Sequence, residues 1–501
     1  MKRMKRLMPA LPDPDRPPPL RVLVVTAELW PFSRSGGLAD VVVALSSALA
    51  ERGAEVDVLT PRYRSIDVNA HSLARRLTPV TFTLDGAERQ VVLYEGKGKG
   101  PVRVFFADHP PLFDREGLYG PPGGAPYEDN PLRFALLCRT ALGLGAALAR
   151  RYDVVHCHDW QAALAAAWLR DAPGPRPRSV LTIHHMAELG AAGDWAPRLG
   201  LDRPSALEAG IAAADVVTTV SPHYADEIRT PAGGHGLDGA LCARGAAVVG
   251  ILDGADYSAW DPMNDGYIAA RYSSEDIAPK RRCKAEVQRQ LRLPVRAEVP
   301  LLGTVGRVTN AKGHDLIAAA LPALVERGCQ VAVLGTGEAA LEAALQEGAK
   351  PFANNVAVRI GTDDALAHRI VAGSDLWLAP ARFEPSGLSQ LYALRYGAVP
   401  VVHAVGGLAD TVEEADGAAE TGTGFRFDAL DPAALVAAVE RGLALYREPP
   451  KWRALQKRCM TRDFSWAATA ERYFRLFAEL AERLDLLPEP EDAEQAGAGP
   501  G

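Results

Sequence analysis

The chain of 501 residues is too long for one ordinary hydrophobic core and favours two sizeable domains. With 48% hydrophobic and 23% charged residues it has the composition of an ordinary globular protein, which excludes the disordered and fibrous classes. The formal net charge of -7 gives no bulk attraction for polyanions and counts against a dedicated nucleic-acid binder.

The cysteines and the two ends of the chain indicate its cellular compartment. The six cysteines are scattered without CxxC pairs, which argues against a disulfide framework and a structural zinc site. No apolar run has the length of a signal-peptide core or a membrane span, so we expect a cytoplasmic protein with no membrane partner. Both ends, 1–19 and 487–501, are rich in Pro, Gly, Ala and Glu and are predicted to be disordered tails.

The first half of the chain shows the alternation of an α/β fold. Residues 20–26 form a nearly continuous apolar run, as in a strand buried on both faces of a parallel sheet. Helical spacing over 38–52 and a second apolar run over 55–60 complete a βαβ unit. Further strands are predicted at 153–156, 179–183 and 215–220.

The second half repeats the pattern. Strands are predicted at 300–305, 330–334, 356–360, 375–379 and 399–403, with helical segments between them. We therefore predict two doubly wound, Rossmann-like α/β domains that face one another, residues 20–253 and 254–460, with the active site in the cleft between them. Residues 249–260 are the expected hinge.

A glycine pair follows the first predicted strand. Gly36 and Gly37 let the backbone approach a ligand, the next helix presents free N–H groups to an anion, and Arg34 adds positive charge. The alternative is a tight strand-to-helix turn with no ligand. The same Gly-Gly-Leu-Ala-Asp sequence recurs at Gly406 and Gly407, again after a strand, so one such turn is expected in each domain.

Two histidine-containing segments end strands of the first half. His158 and Asp159 lie in a His-Cys-His-Asp-Trp run that lacks a third metal ligand, so a lining role is favoured over a zinc site. His184 follows the next strand, where an imidazole can hydrogen-bond a sugar hydroxyl or a carbonyl near the reacting carbon. A histidine satisfied within the core is the alternative.

Two loops of the second half carry charged groups suited to a nucleotide sugar. Arg307 and Lys312 lie five residues apart on a strand-exit loop and can clamp a diphosphate, unless they are merely solvated surface charges. Glu384 lies at a predicted helix entrance, with Pro385 as the first helical residue. The amides of Ser386, Gly387 and Leu388 would then face sugar hydroxyls or phosphate; the alternative is a capping Glu without a ligand.

In combination and order, these motifs resemble bacterial glycogen synthase and plant starch synthase, the retaining glucosyltransferases of glycosyltransferase family 5. The resemblance covers about residues 20–480. It is carried by residues 35–41, 132–136, 158–160, 221–222, 306–307, 312–313, 382–385, 387–388, 406–411 and 463–466.

The resemblance implies a GT-B fold with a C-terminal helix at 461–486 crossing back to the first domain. It implies ADP-glucose as the donor and the non-reducing end of an α-1,4-glucan as the acceptor, joined with retention and with neither metal nor cofactor. The implied catalytic residues are His184, Arg307, Lys312 and Glu384. The implied donor-binding residues are Arg34, Gly36, Gly37, Ser386, Gly387, Leu388, Gly406 and Gly407, and the implied acceptor-side residues are Asp40, Tyr119, Asp159 and Asp253.

Several positions depart from the family pattern. Lys-Thr before the first glycine pair is Arg34-Ser35 here, the family's His-Asn is His184-His185, and its Asn-Gly is Asp253-Gly254. The departures at His185, Glu188 and Asp253 favour one alternative, a related transferase with another acceptor. A glucan-binding pseudoenzyme is a second, separate alternative. The sequence leaves the choice between ADP-glucose and UDP-glucose, and the oligomeric state, undecided.

Overall fold

The computed structural model describes residues 18–486. The predicted tails lie outside these residues, except for Pro18 and Pro19. The described residues form two compact units. The first unit comprises the chain up to Leu181, Gly190–Asp215 and the chain from Ala470, and the second comprises Thr182–Leu189 and Val216–Thr469. The domain boundaries and the cleft expected from the sequence stay predictions.

The first unit is built on a mixed sheet. Its strands are β1 (Arg21–Val25), β2 (Glu55–Pro61), β3 (Ala74–Arg75), β4 (Val80–Leu84), β5 (Ala87–Lys97), β6 (Arg103–Asp108), β7 (Val154–His158) and β8 (Arg178–Ile183). These eight strands are part of a ten-stranded sheet and follow one another in it as β8-β7-β1-β2-β6-β5-β3, with β4 on β5. β1 pairs in parallel with β2 and β7, so that Val24 lies opposite both Val58 and His156. These apolar strands are covered on both faces, as the continuous hydrophobic run predicts.

Helices cover this sheet. They are α1 (Leu38–Glu51), α2 (Pro110–Phe113), α3 (Asn130–Ala147), α4 (Asp159–Arg170), α5 (Trp195–Arg198) and α6 (Ala206–Ala213). The antiparallel edge formed by β3, β4 and β5 was not predicted, because its strands alternate exposed with covered positions instead of forming apolar runs.

The second unit contains a fully parallel sheet. β9 (Val216–Thr219) and β10 (Val248–Gly250) pair in parallel at the start of this unit. The main sheet consists of β11 (Leu301–Val305), β12 (Gln330–Gly335), β13 (Val356–Ile360), β14 (Leu376–Ala379), β15 (Val399–His403) and β16 (Phe425–Phe427). Its order is β13-β12-β11-β14-β15-β16, with every pair parallel.

The helices of the second unit complete the α/β pattern. They are α7 (Pro222–Glu227), α8 (Asp238–Ala243), α9 (Lys280–Gln290), α10 (His314–Glu326), α11 (Ala339–Ala349), α12 (Asp364–Gly373), α13 (Ser389–Arg395), α14 (Gly406–Thr411), α15 (Pro432–Tyr446) and α16 (Pro449–Thr461). The last helix, α17 (Trp466–Leu480), begins in the second unit and belongs to the first unit from Ala470 onward. Three 3₁₀ turns lie at Gly245–Ala247, Lys350–Phe352 and Leu484–Leu486. Within residues 18–486, no helix is long and apolar enough to cross a bilayer.

The predicted fold class, α/β with two doubly wound sheets, is confirmed, and one helix start is corrected. α13 begins at Ser389, not at Pro385. Gly387 has φ +73°, in the left-handed region, so a right-handed helix cannot run through it. Glu384 and the three residues after Pro385 therefore belong to a loop that precedes the helix.

Candidate active site

The predicted site residues follow strands at the point where each sheet reverses its order. In the first unit, β1 lies between β2 and β7; the glycine loop follows β1, and Asp159 follows β7. In the second unit, β11 lies between β12 and β14, and the two charged loops follow β11 and β14. Open α/β sheets bind ligands beyond the carboxyl ends of the strands at such reversals, so each unit has its own group of candidate site residues.

In the first unit, the buried carboxylate of Glu28 organises the glycine loop. It accepts hydrogen bonds from the backbone N–H of Ser35 at 2.5 Å, from the Ser35 hydroxyl at 2.5 Å and from the N–H of Gly36 at 3.3 Å. Tyr119 donates its hydroxyl to the same carboxylate at 2.6 Å. The N–H groups of Ser35 and Gly36 therefore bind a carboxylate of the protein itself.

Arg34 and Asp40 form an ion pair of 2.9 Å beside this loop. The Arg34 guanidinium also lies 5.6 Å from the ring centre of Trp30, whose side chain is half exposed. Burial raises the pKa of Asp40, the Glu28 carboxylate adds to the rise, and Arg34 opposes it. Arg34 thus supplies positive charge at the loop, as predicted, but it shares this charge with Asp40.

Tyr119 is placed among the other predicted residues of this half. Burial raises the pKa of Tyr119 well above its ordinary value, and the charges of Glu28 and Asp159 add to the rise, so the hydroxyl stays a donor at neutral pH. Asp159 begins α4 with φ +54°, a strained backbone conformation that is concentrated at functional sites. The structure therefore links these predicted residues in a chain of contacts and charges: Tyr119 bonds Glu28, Glu28 acts on Asp40, Asp40 pairs with Arg34, and Asp159 acts on Tyr119.

In the second unit, the two charged loops are joined by an ion pair between Lys312 and Glu384. Glu384 has 13% of its side chain exposed and Lys312 has 31%. Arg307 lies on the same loop, is exposed and pairs with no acid among the described residues. The sequence assigned these three residues to different parts of one donor, and the structure places them on adjacent loops.

A second ion pair fixes the two loops to each other. Arg382 binds both carboxylate oxygens of Asp315, at 2.7 and 2.6 Å, and also donates to the carbonyl of Asn310. A bidentate guanidinium–carboxylate pair restricts geometry more strongly than a single contact. Asp315 was missed in the sequence, where an acid in the first turn of a helix is unremarkable.

The second glycine pair supports the Glu384 loop instead of pointing its amides outward. The N–H of Gly406 donates to Glu227 at 2.8 Å, and the N–H of Gly407 donates to the carbonyl of Glu384 at 3.0 Å. A Cβ atom on Gly406 would lie 2.2 Å from the Glu384 carbonyl oxygen, and one on Gly407 would lie 1.8 Å from that of Ser386. These glycines are required for the close approach of two backbones.

The segment Ser386, Gly387 and Leu388 forms a turn over a buried glutamine. Gln390 donates its amide to the carbonyl of Gly387 at 2.9 Å and to the hydroxyl of Thr411 at 3.2 Å. Ser221, a residue of the family motif, caps α7 and donates its hydroxyl to the Pro385 carbonyl at 2.7 Å. The turn is therefore held from both sides by residues whose role the sequence alone did not reveal.

His184 and Asp253 both lie in the second unit and influence each other electrostatically. Burial lowers the pKa of His184 from 6.5, and the Asp253 carboxylate opposes this shift. The neighbouring His185 packs its ring edge-on against Phe383, with ring centres 5.1 Å apart. Since Phe383 precedes Glu384 in the chain, the histidine segment contacts the Glu384 loop.

The lowered pKa of His184 predicts a pH-dependent stability. The unfolded chain binds a proton near pH 6.5, whereas the folded chain binds it only at lower pH, so the unfolded state gains more protons as the pH falls below 6.5. In the wild type, the unfolding free energy measured by urea unfolding should decrease as the pH is lowered from 7.5 to 5.5. We expect a smaller decrease in His184→Gln. The exposed His235→Asn is the control and should keep the wild-type dependence; an unchanged dependence in His184→Gln would contradict the assignment.

No group of three or more His, Cys, Asp or Glu side chains within residues 18–486 is arranged to hold a metal ion. The ring centres of His156 and His158 lie 4.1 Å apart with the rings tilted by 43°, and His156 also packs against Tyr473 and Phe477. The lining role that the sequence favours for His158 and Asp159, and the absence of zinc there, stay predictions. The expectation of a reaction without metal stays a prediction.

Comparison with known proteins identifies the family. Residues 21–243 match the family model of the starch synthase catalytic domain, and residues 299–444 match that of glycosyl transferases group 1. A glycogen synthase from Anaeromyxobacter dehalogenans is 48% identical over 92% of this chain and 99% of its own length. The chain belongs to the glycogen synthase family. A glycogen synthase from Halorhodospira halophila is 44% identical, over 92% of this chain and 99% of its own.

Solved structures agree with this glycogen synthase assignment. The catalytic domain of starch synthase IV from Arabidopsis thaliana, bound to ADP and acarbose, superposes with a TM-score of 0.79 at 31% identity, covering 93% of this chain and 100% of its own. A sucrose-phosphate synthase from Thermosynechococcus elongatus shares the fold alone, with a TM-score of 0.57 at 18% identity over 92% of this chain and 99% of its own. The GT-B fold and the predicted family are confirmed, and the chain is a glucosyltransferase of the glycogen synthase type.

The assignments of individual residues stay predictions, but their positions are now known. One group surrounds Glu28, which the sequence analysis missed although an acid just after β1 and before a glycine pair was a usable signal. The other group surrounds the Lys312–Glu384 pair and includes the glycines that support it. The family match covers both groups: Glu28 lies within residues 21–243, and Glu384 lies within residues 299–444.

Proposed function

We propose that this chain transfers glucose from ADP-glucose to the non-reducing end of an α-1,4-glucan, with retention of the anomeric configuration and without a metal ion or cofactor. The observation that carries the proposal is the cluster of Arg307, Lys312 and Glu384 on the two loops that follow β11 and β14. Two cations and one carboxylate suit a donor that has a diphosphate at one end and a hydroxylated sugar at the other.

Arg307 and Lys312 stabilise the leaving group in this proposal. As the bond between glucose and the diphosphate breaks, negative charge grows on the phosphate oxygens, and a guanidinium and an ammonium group lower the energy of that state. The donor diphosphate competes with Glu384 for Lys312. Glu384 then accepts hydrogen bonds from glucose hydroxyls, and the acceptor hydroxyl enters on the face from which the diphosphate leaves.

The choice of adenine rather than uracil as the base of the donor is based on a solved structure of a similar protein. The starch synthase IV catalytic domain, 31% identical to this chain, is bound to ADP. Asp40, Tyr119 and Asp159 are assigned to the acceptor side. All three belong to the first unit, where Glu28 bonds Tyr119 and acts on Asp40, and Asp159 acts on Tyr119. His185, Glu188 and Asp253 depart from the family pattern. In this proposal these three residues lie near the sugars and not near the diphosphate.

A donor and acceptor panel tests the proposal. Purified protein is incubated with ADP-glucose or UDP-glucose, and with glycogen, maltose, glucose or no acceptor, with and without EDTA, while nucleoside diphosphate release is followed. We expect release only with ADP-glucose and an α-1,4-glucan, unaffected by EDTA. Release with small acceptors but not with glycogen would show that the acceptor is not a glucan polymer. Loss of release in EDTA would contradict a reaction that needs no metal ion.

A further inference from the structure

We propose that the second unit contains a separate binding site for a small phosphate monoester, in a cavity of about 480 Å³ formed by the first turns of α9 and α16 and the end of α15. Its volume lies in the range of small-molecule sites. The residues of this cavity have no part in the proposed transfer reaction, so the inference stands independently of the proposed function.

The lining of the cavity has an excess of positive charge. Its basic side chains are Lys280, Arg281, Lys284, Arg447 and Arg453, and its acidic side chains are Glu298 and Asp375. The whole chain carries a net charge of -7, so the positive charge of the cavity is opposite in sign to the net charge of the protein. A concave surface with an excess of positive charge attracts anions.

Not all of these charges are neutralised within the protein. Lys284 pairs with Asp375 at 2.7 Å, and Lys280 donates to the carbonyls of Ala372 and Tyr396. Arg281 and Arg447, by contrast, are exposed and make no ion pair with a described residue. Exposed guanidinium forks that lack a partner are suited to bidentate contacts with phosphate oxygens.

Aromatic and polar groups lie beside the cations. Tyr446 and Trp452 line the cavity with ring centres 5.3 Å apart in an edge-to-face arrangement. Glu298 is exposed and forms no ion pair with a described residue, so its carboxylate is available to accept hydrogen bonds from hydroxyl groups. This combination suits a phosphate attached to a hydroxylated ring, either a sugar phosphate or a nucleoside monophosphate.

The cavity lies away from the donor residues of the same unit. Glu298 and Asp375 precede β11 and β14, whereas Lys312 and Glu384 follow these strands. Strands of four or five residues separate the two ends by roughly 13–17 Å at about 3.3 Å per residue. A ligand in the cavity is therefore bound near the amino-terminal ends of these strands, whereas Arg307 and Lys312 lie beyond their carboxyl-terminal ends.

Isothermal titration of the full chain with glucose 6-phosphate, AMP and inorganic phosphate tests the inference, with glucose and adenosine as uncharged controls. We expect glucose 6-phosphate or AMP to bind and the uncharged compounds not to bind. The double variant Arg281→Gln/Arg447→Gln should weaken this binding by about tenfold or more, since it removes two charge-assisted contacts. Both residues are exposed, so the melting temperature should not change.

Two matched variants complete the experiment. Arg271→Gln/Arg359→Gln removes two exposed arginines that lie outside the cavity and should bind like the wild type. Arg307→Ala/Lys312→Ala should also retain binding, because the donor loops are elsewhere. If none of the three phosphates binds at millimolar concentration, or if binding is lost in Arg307→Ala/Lys312→Ala and kept in Arg281→Gln/Arg447→Gln, the inference is overturned.

Discussion

Replacing Lys312 with alanine is expected to lower kcat for glucosyl transfer by about 10²–10³-fold, the range seen when one group that stabilises transition-state charge is removed. Lys312 lies on the loop after β11 and pairs with Glu384. The loss should fall on kcat more than on KM, because the charge on the leaving diphosphate is largest in the transition state. Initial rates with ADP-glucose and glycogen measure the effect.

Lys350→Ala is the matched control for this substitution. Lys350 also pairs with a glutamate, Glu347, but both side chains are 67% exposed and lie outside the candidate site. Its removal should leave kcat within about twofold of the wild type, because exposed pairs contribute little. A Lys312→Ala enzyme with the wild-type kcat would show that Lys312 does not stabilise the leaving group.

The two glycine pairs are expected to respond differently to the same substitution. In Gly407→Ala the new Cβ would lie 1.8 Å from the carbonyl oxygen of Ser386, so the backbone must shift. We expect a loss of about 1–3 kcal/mol of unfolding free energy from overpacking. The displaced Glu384 loop should lower kcat by about 10²-fold, since a shift of 1 Å at a reacting group has that effect.

Gly37→Ala is the counterpart in the first pair, and Gly417→Ala is a neutral control. A Cβ at either position meets no atom within 4 Å, and neither residue has a left-handed φ. Both variants should keep the unfolding free energy within about 0.5 kcal/mol of the wild type. Urea unfolding and initial rates on all three variants separate the positions; equal stability of Gly407→Ala and Gly37→Ala would contradict the packing role of the second pair.

Much of the fold followed from the sequence because buried parallel strands have a simple signature. β1, β11 and β15 are nearly continuous apolar runs, and each was predicted within two residues of its observed bounds. The antiparallel edge at β3, β4 and β5 has no such runs and was missed. The helix start was placed at Pro385 because proline favours that position, but the left-handed Gly387 delays it to Ser389.

The site was predictable as a set of loops but not as a set of contacts. Strand ends at a reversal of sheet order identify the loops that carry Arg34, Lys312 and Glu384. Strand ends do not reveal which oxygen atom accepts the hydrogen bond of a given backbone N–H group. The carboxylate of Glu28 takes the amides at Ser35 and Gly36, a choice that depends on side-chain direction and burial and therefore on the folded chain.

The repeated Gly-Gly-Leu-Ala-Asp sequence shows the same difference most directly. Both copies follow a strand and begin a helix, as predicted. The first copy leaves open space above Gly36 and Gly37, whereas the second is pressed against the loop that carries Glu384. Identical pentapeptides therefore have different neighbours, which only the tertiary structure decides.

The central claim is that this chain extends an α-1,4-glucan from ADP-glucose with retention. Proton NMR of maltoheptaose incubated with the protein and ADP-glucose tests this most directly, because the anomeric signals of α- and β-linked glucose are resolved. Retention predicts growth of the α-1,4 signal in step with ADP release. Appearance of a β-linked signal, or ADP release without chain extension, would contradict the account.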